Sequence, residues 1–328
     1  MPTPLSLVFC GTPRFAVPTL ERLVEAGHSV LLVVTQPDRP RGRGMEVAVS
    51  PVKDAAVRLG IAVAQPATIK NNAEFRDRLA ALRPGASIDA IIVVGYGRII
   101  PQWMIDLPRL GNLNLHASLL PKYRGAAPIQ WAIANGESVT GVTTMRIDAG
   151  LDTGDILMQR EVPIAPEDTS ETLGPKLAVI GADLMVETLR QLESGGLRPV
   201  PQDHAKSTIA PILQREDGHI NFGMNAERIY NRLRGFKPWP GAYTTYRGRS
   251  VSVLAAKIQR DESFLHSLNE DLAITDGTMV VVGDRLFVGC HGDSWLDILE
   301  LQPEGKRPMP ARDFINGYRP RTGDRLGE

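Results

Sequence analysis

Along the first half of the chain, short apolar runs alternate with segments of helical spacing, and few architectures accommodate that rhythm. Residues 5–10, 29–35, 90–94 and 113–116 are strand-like, and the runs "LLVV" and "AIIVV" carry no polar alternation. Between and after them, 15–26, 51–59, 75–82 and 170–192 repeat apolar residues at helical intervals; in the last, Leu173, Leu177, Ile180, Leu184 and Val186 form the stripe. A strand apolar on both faces needs cover on both faces, and helices between successive strands supply it. The expectation is an α/β fold on a mostly parallel sheet.

The pattern changes after "ESGG" at 193–196. From there "GGLRPVPQDHAKST" is rich in Gly, Pro and polar residues and has no usable period, so a linker is expected over 195–208. One helical stretch, 226–234, then precedes "AYTTY", "VSVLAAKI", "TMVVV", "RLFVG" and "WLDILEL", separated by Gly and Asp turns. Five short strands suggest a small barrel, an OB-like fold being one candidate. The 328 residues therefore divide into 1–194, the linker 195–208, and 209–328.

Charge and cysteine content narrow the partners. Lys+Arg and Asp+Glu both number 37, so any polyanion has to meet a local patch. Cys10 and Cys290 fall in different expected domains, which argues against a disulfide framework and fits a reducing cytosol. No basic region precedes the first apolar run, and no window approaches the ~18 apolar residues of a membrane span. A cytoplasmic protein with no membrane partner, working as a monomer, is expected.

Candidate chemistry sits in "GNLNLH" at 111–116. The period of two puts Leu113 and Leu115 on one face and Asn112, Asn114 and His116 on the other, at a strand's carboxyl end, where open α/β sheets bind ligands. A lone strand-end histidine is more often a satisfied structural residue. Downstream, "RIDAGLDTGDIL" packs Asp148, Asp152 and Asp155 around two glycines, Gly150 and Gly154. Either a carboxylate there reaches back to His116, or the aspartates cap backbone amides in an acidic turn.

What could such groups do together? Ser118 lies nearby, but the chain has no G-x-S-x-G elbow, and no H-E-x-x-H or C-x-x-C occurs, so covalent and metal chemistry are both poorly supported and no metal is expected. Direct attack of an external amine on an acyl group remains. An asparagine amide and an imidazolium can both donate to the oxyanion of a tetrahedral intermediate, each contributing roughly 10²- to 10³-fold. A carboxylate would orient the histidine, or help take up the amine's proton; the sequence leaves both open.

Three other features have two readings each. "CGTPRFAVPTL" has one glycine where a dinucleotide fingerprint has three, and Pro13 stands where a phosphate-binding amide is wanted, so a tight βα turn fits better and an NAD enzyme is rejected. The segment 36–53 sets Arg39, Arg41, Arg43 and Lys53 against Asp38 and Glu46, as a phosphate-contacting arm or a solvated loop. In 225–250, Arg228, Arg232, Arg234, Lys237, Arg247 and Arg249 oppose Glu227 alone, with Phe236, Trp239, Tyr243 and Tyr246 interleaved, as an RNA-tracking face or as core.

The segments "NLHASLLPKYRGAAPIQWAI" and "GLDTGDIL", with "FCGTPRFAVPTL", "TQPDRPRGRG", "SPVK", "VVGYGRIIP" and "GFKPWPGAY", resemble the formyltransferase family that uses 10-formyltetrahydrofolate, over residues 5–301. The resemblance implies a Rossmann-like catalytic domain followed by a C-terminal OB-like β-barrel domain that binds tRNA. It matches Asn114, His116 and Asp152 to the catalytic trio and Ser118, Leu119, Leu120 and Pro121 to a folate-contacting segment. It implies 10-formyltetrahydrofolate as formyl donor and initiator methionyl-tRNA as acceptor, for translation initiation. Arg39, Arg41 and Arg43 then form the tRNA arm, although Met45 and Glu46 stand where relatives often carry lysines. A folate-dependent formyltransferase acting on a nucleotide-linked amino sugar is the alternative.

Overall fold

The structure is a computed structural model and describes residues 4–41, 46–82, 87–261 and 275–328. The chain divides into two units. One contains Met1–Pro128, Val139–Pro163 and Leu173–Pro211, the other Ile129–Ser138, Ile164–Thr172 and Ile212–Glu328.

The first unit begins β1 (Ser6–Gly11), α1 (Val17–Glu25), β2 (Ser29–Val34), β3 (Arg39–Arg41), β4 (Glu46–Ala48), α2 (Pro51–Arg58), β5 (Val63–Ala64), α3 (Ala73–Ala81), β6 (Ala90–Val94), α4 (Gln102–Ile105), β7 (Asn112–His116) and β8 (Arg124–Gly125). After α5 (Pro128–Ala134), most of which belongs to the second unit, come β9 (Val139–Arg146), β10 (Ile156–Pro163), α6 (Ser170–Glu193) and β11 (Ile209–Ala210). Seven strands make one sheet in the order β10-β9-β7-β6-β1-β2-β5. The five from β7 to β5 are parallel; β9 and β10 add an antiparallel edge.

Every residue of β1 and β6 is buried, which is why their sequences show no polar alternation. Helix starts follow local chemistry. Ser50 caps α2, accepting from Lys53 N at 3.1 Å ahead of Pro51, and its hydroxyl also meets Thr35 Oγ1 at 2.8 Å. Asn72 caps α3 in the same way. The "CGTP" segment is a tight βα turn: a Cβ on Gly11 would lie 2.8 Å from Phe9 and 3.0 Å from the Val94 carbonyl.

The two faces of β7 are decided by its neighbours. Leu115 packs against α6 so closely that a Cβ on Gly181 would come within 2.7 Å of it, and its cross-strand partner Thr144 shares a 2.8 Å hydroxyl contact with Thr188 of α6. Asn112, Asn114 and His116 therefore project from the other face. Asn112 is buried there, donating to the carbonyls of Met104 and Ile105.

In the second unit, α7 (Ala226–Gly235) is followed by β12 (Tyr243–Tyr246), β13 (Arg249–Gln259), β14 (Met279–Val282), β15 (Arg285–Cys290), β16 (Ser294–Pro303), β17 (Met309–Pro310) and α8 (Ala311–Tyr318). The strands form an antiparallel sheet, β12-β13-β16-β15-β14, with β17 beside β16. Its core joins Ile229 and Leu233 of α7 to Val251, Val253, Leu296, Ile298 and Phe314.

The sequence places 129–138 and 164–172 in the first domain, whereas both pack with the second unit. Trp131 meets Phe236 edge-on at 5.2 Å between centroids, and the buried Arg234 donates to the carbonyl of Asp168 at 2.9 Å. The stretch 195–208, expected as a linker, is fastened to the first unit: Val200 and Ile156 exchange two 2.8 Å backbone hydrogen bonds. Composition detects neither arrangement, because both rest on contacts between segments distant in sequence. Among the described residues no helix is long and apolar enough to cross a membrane.

Candidate active site

His116 ends β7 and is 6% exposed. Its Nε2 lies 2.8 Å from the carbonyl oxygen of Tyr123, and its Nδ1 lies 3.7 Å from Asp152 Oδ2. A carbonyl has no proton to give, so the first contact puts a proton on Nε2.

The two residues that flank the imidazole share an unusual backbone. Tyr123 has φ +60° and Asp152 φ +51°, the left-handed region that side chains other than glycine seldom adopt, Asp and Asn being the more tolerant. Each is held there by specific partners. Tyr123 N donates to Thr208 Oγ1 at 2.8 Å, and Asp152 Oδ2 accepts from Gly125 N at 2.9 Å. Glycine is required in the Asp152 turn, since a Cβ on Gly154 would sit 2.0 Å from the Arg146 carbonyl.

Both readings of the acidic turn are realised, by different aspartates. Asp148 is exposed and accepts from Gly150 N and the Thr153 hydroxyl, an Asx turn. Asp152 reaches His116. Asp155 contributes its backbone carbonyl to Arg146 N at 2.9 Å. Asn114 is partly exposed and points to the same side as His116, about 6–7 Å before it along the strand.

Thr143, opposite His116 on β9, organises the next segment. Its hydroxyl donates to Ser118 O at 2.6 Å and accepts from Leu120 N at 3.2 Å and Gln159 Nε2 at 2.9 Å. Ser118 and Leu120 are buried, whereas Leu119 and Pro121 are partly exposed. The Ser118 hydroxyl donates to Lys122 O at 2.6 Å, so it is committed internally and is no nucleophile.

The carboxyl ends of β1, β2 and β6 open onto a cleft of about 600 Å³ walled by Pro13, Arg14, Pro37, Val49, Pro51 and Gly95. Gly95 and Gly97 have φ +56° and +73° and are exposed; a Cβ would meet Pro13 at 2.8 Å from the first and Gln36 at 2.9 Å from the second. Behind them, burial pushes the Tyr96 phenol and the Cys10 thiol up, so both stay neutral.

The basic features resolve unevenly. Arg39 and Arg41 lie on β3, paired with β4, and Arg43 lies outside the described residues. Lys53 is committed to Asp38, whose carboxyl it holds below the ordinary range together with Gln65. In the second unit, Arg232 stacks over Phe236 at 4.9 Å, Arg234 is buried, and Arg247 pairs with Asp324 at 3.0 Å. Phe236 and Tyr246 are core, but Trp239 is 56% exposed.

Sequence reasoning missed Tyr123, Arg124, Gly125 and Gln202. "YRG" begins one residue after the folate-like segment and was an available signal; Gln202, between a proline and an Asp, gave none.

A Formyl transferase family model matches residues 5–189, and a Formyl transferase, C-terminal domain model matches 212–319. The methionyl-tRNA formyltransferase of Koribacter versatilis is 63% identical over 322 residues, covering 98% of each chain. That of Acidobacterium capsulatum is 58% identical, covering 98% of this chain and all of its own. Among solved structures, an N-formyltransferase from Helicobacter canadensis, in complex with folinic acid and dTDP-3-aminofucose, superposes with a TM-score of 0.64 at 18% identity, covering 91% of this chain and 99% of its own.

Proposed function

The chain belongs to the formyl transferase family, and from that premise we propose that it moves a formyl group from 10-formyltetrahydrofolate to the α-amino group of initiator methionyl-tRNA. Relatives at 63% and 58% identity, matched over nearly their whole length, are named methionyl-tRNA formyltransferases. The sugar N-formyltransferases among the similar solved structures are 17–18% identical, a likeness that speaks to the fold alone.

The observation that carries the reading is the convergence of His116, Asp152 and Asn114 at the carboxyl end of β7. The folate fits the residues present. Gly95 and Gly97 leave bare backbone where a side chain would fill the space, so a flat heterocycle can approach their amides and carbonyls, and Leu119 and Pro121 offer partly exposed apolar contacts. When bound, the donor supplies an activated formyl carbon.

The protein's part is electrostatic. Asn114 and protonated His116 donate toward the oxygen that gains charge as the amine adds. With Nε2 held by Tyr123, Nδ1 is the imidazole atom left to face the reacting centre, and Asp152 lies on that side. At 3.7 Å the Asp152 contact is longer than a hydrogen bond, as catalytic contacts often are before substrate binds. Asp152 thus orients and charge-balances the ring; the ring gives a proton to the departing nitrogen as the carbon–nitrogen bond of the donor breaks, and the proton shed by the attacking amine restores it.

We assign catalysis to 1–194 and tRNA binding to 209–328, with Arg39, Arg41 and Arg43 contributing phosphate contacts. We further take the enzyme to work as a monomer in the cytoplasm, where charged tRNA is used in translation. The test is a comparison of acceptors: with 10-formyltetrahydrofolate, methionyl-tRNA should be formylated and a nucleotide-linked amino sugar should not. The reverse preference overturns the assignment.

A further inference from the structure

Gln202 stands in the stretch whose composition suggests only a connector, yet its side chain is buried. Its Nε2 donates to the carbonyl oxygens of Asp152, at 2.9 Å, and Gly154, at 2.7 Å. Its Oε1 accepts a fork from Arg124, Nε at 3.1 Å and Nη2 at 2.7 Å. Arg124 is itself buried and reaches His204 Nδ1 at 3.2 Å through the same Nη2. The residue after Arg124 is Gly125, whose N–H holds the Asp152 carboxylate.

Asp152 is therefore gripped twice. Its side chain is held by the Gly125 amide and its backbone by the Gln202 amide, and Arg124 ties the two grips together. Only a carboxamide meets both demands at position 202, since it presents two N–H donors to the carbonyls and an oxygen to the guanidinium. A carboxylate would keep the Arg124 pair, lose both donors and set oxygen against oxygen.

We propose that Gln202 is a positioning residue for formyl transfer, acting through the Asp152 backbone, with Arg124 as its anchor. This rests on the reading of Asp152 as the partner of His116. Gln202 touches no reacting atom; it fixes where the carboxylate stands, and a displacement of about 1 Å at such a group can cost on the order of 10²-fold in rate.

The test is a double-mutant cycle read by single-turnover formylation of methionyl-tRNA and by kcat and KM. Gln202→Glu and Gln202→Met should each lower the rate about 10- to 100-fold with both KM values within about twofold. In the Asp152→Asn background, the same changes should cost less than about twofold more, because the group being positioned is already gone. Should Gln202→Met fail to fold in a thermal melt, Gln202→Glu, which retains the Arg124 pair, carries the comparison. Equal penalties in both backgrounds, or a loss confined to KM, overturn the proposal while leaving the functional reading standing. Absence of turnover in the wild-type arm overturns that reading and the proposal with it.

Discussion

His116 is oriented by a backbone carbonyl on one nitrogen and approached by a carboxylate on the other, and both partners come from residues in left-handed conformations. Such conformations cost of order 1–3 kcal/mol each and persist when their surroundings over-determine them. Here the surroundings are the Thr208, Gly125 and Gln202 hydrogen bonds. If the imidazole acts as donor and acid, His116→Ala should lower kcat for methionyl-tRNA roughly 10²- to 10⁴-fold. Its melting temperature should stay within a few degrees of wild type, since the ring stands at the end of β7 beside the polar Asp152 turn. Near-normal turnover defeats the mechanism. The trio was legible as residue types at a strand end and in an acidic turn. Which aspartate reaches the histidine was not, because Asp148 and Asp152 differ only in how the turn folds.

The elements most visible in the sequence were those whose pattern follows from burial alone: β1, β6, α6 and the strands of the second unit. β10 was hidden because it is an edge strand whose exposed "QRE" breaks the apolar run. The basic stretch around α7 was legible as charge but not as geometry: Arg232, Arg234 and Arg247 are drawn into packing and pairing, which leaves a sparser cationic face than the count suggests. Arg247 belongs to a knot that ties β12 to the C-terminal segment. Burial raises the Asp324 carboxyl, but hydrogen bonds from Tyr246, Arg321 and Arg247 outweigh it, so its net shift is downward, while burial chiefly pushes the Tyr246 phenol up to about 12. A depressed folded carboxyl contributes stability above its unfolded value, near pH 4, and loses it as pH falls through the folded value. The melting temperature of wild type should accordingly exceed that of Asp324→Asn at pH 7, and the gap should narrow toward pH 3. A gap independent of pH would mean that the carboxylate is not what ties the knot. On the alkaline side, the raised phenol predicts a loss of stability as pH rises from about 10 toward 12.

For the whole molecule, equal numbers of acidic and basic residues mean that tRNA cannot be gathered by net charge. Local contacts have to do it, and their signature is salt dependence. Arg43→Ala should raise KM for methionyl-tRNA at unchanged KM for the folate, and flatten the plot of log kcat/KM against log salt by about 0.7–0.9 for each phosphate that the arginine no longer neutralises. Identical slopes would remove the arm from the reading. The order of a mostly parallel sheet followed by an antiparallel domain was visible in the sequence because hydrophobic period changes once, near the middle. The interleaving of the two units was invisible, because nothing local marks 129–138 or 164–172 as belonging elsewhere.

That interleaving bears on how the protein can be dissected. A chain stopped after Pro211 would strip Trp131 of Phe236 and leave the Asp168 carbonyl without Arg234, baring apolar and polar surface that the intact molecule never presents. Because the chain passes from one unit to the other several times, a cut at any single point removes part of a unit's own packing, and point substitutions are the cleaner instrument for separating what each unit does.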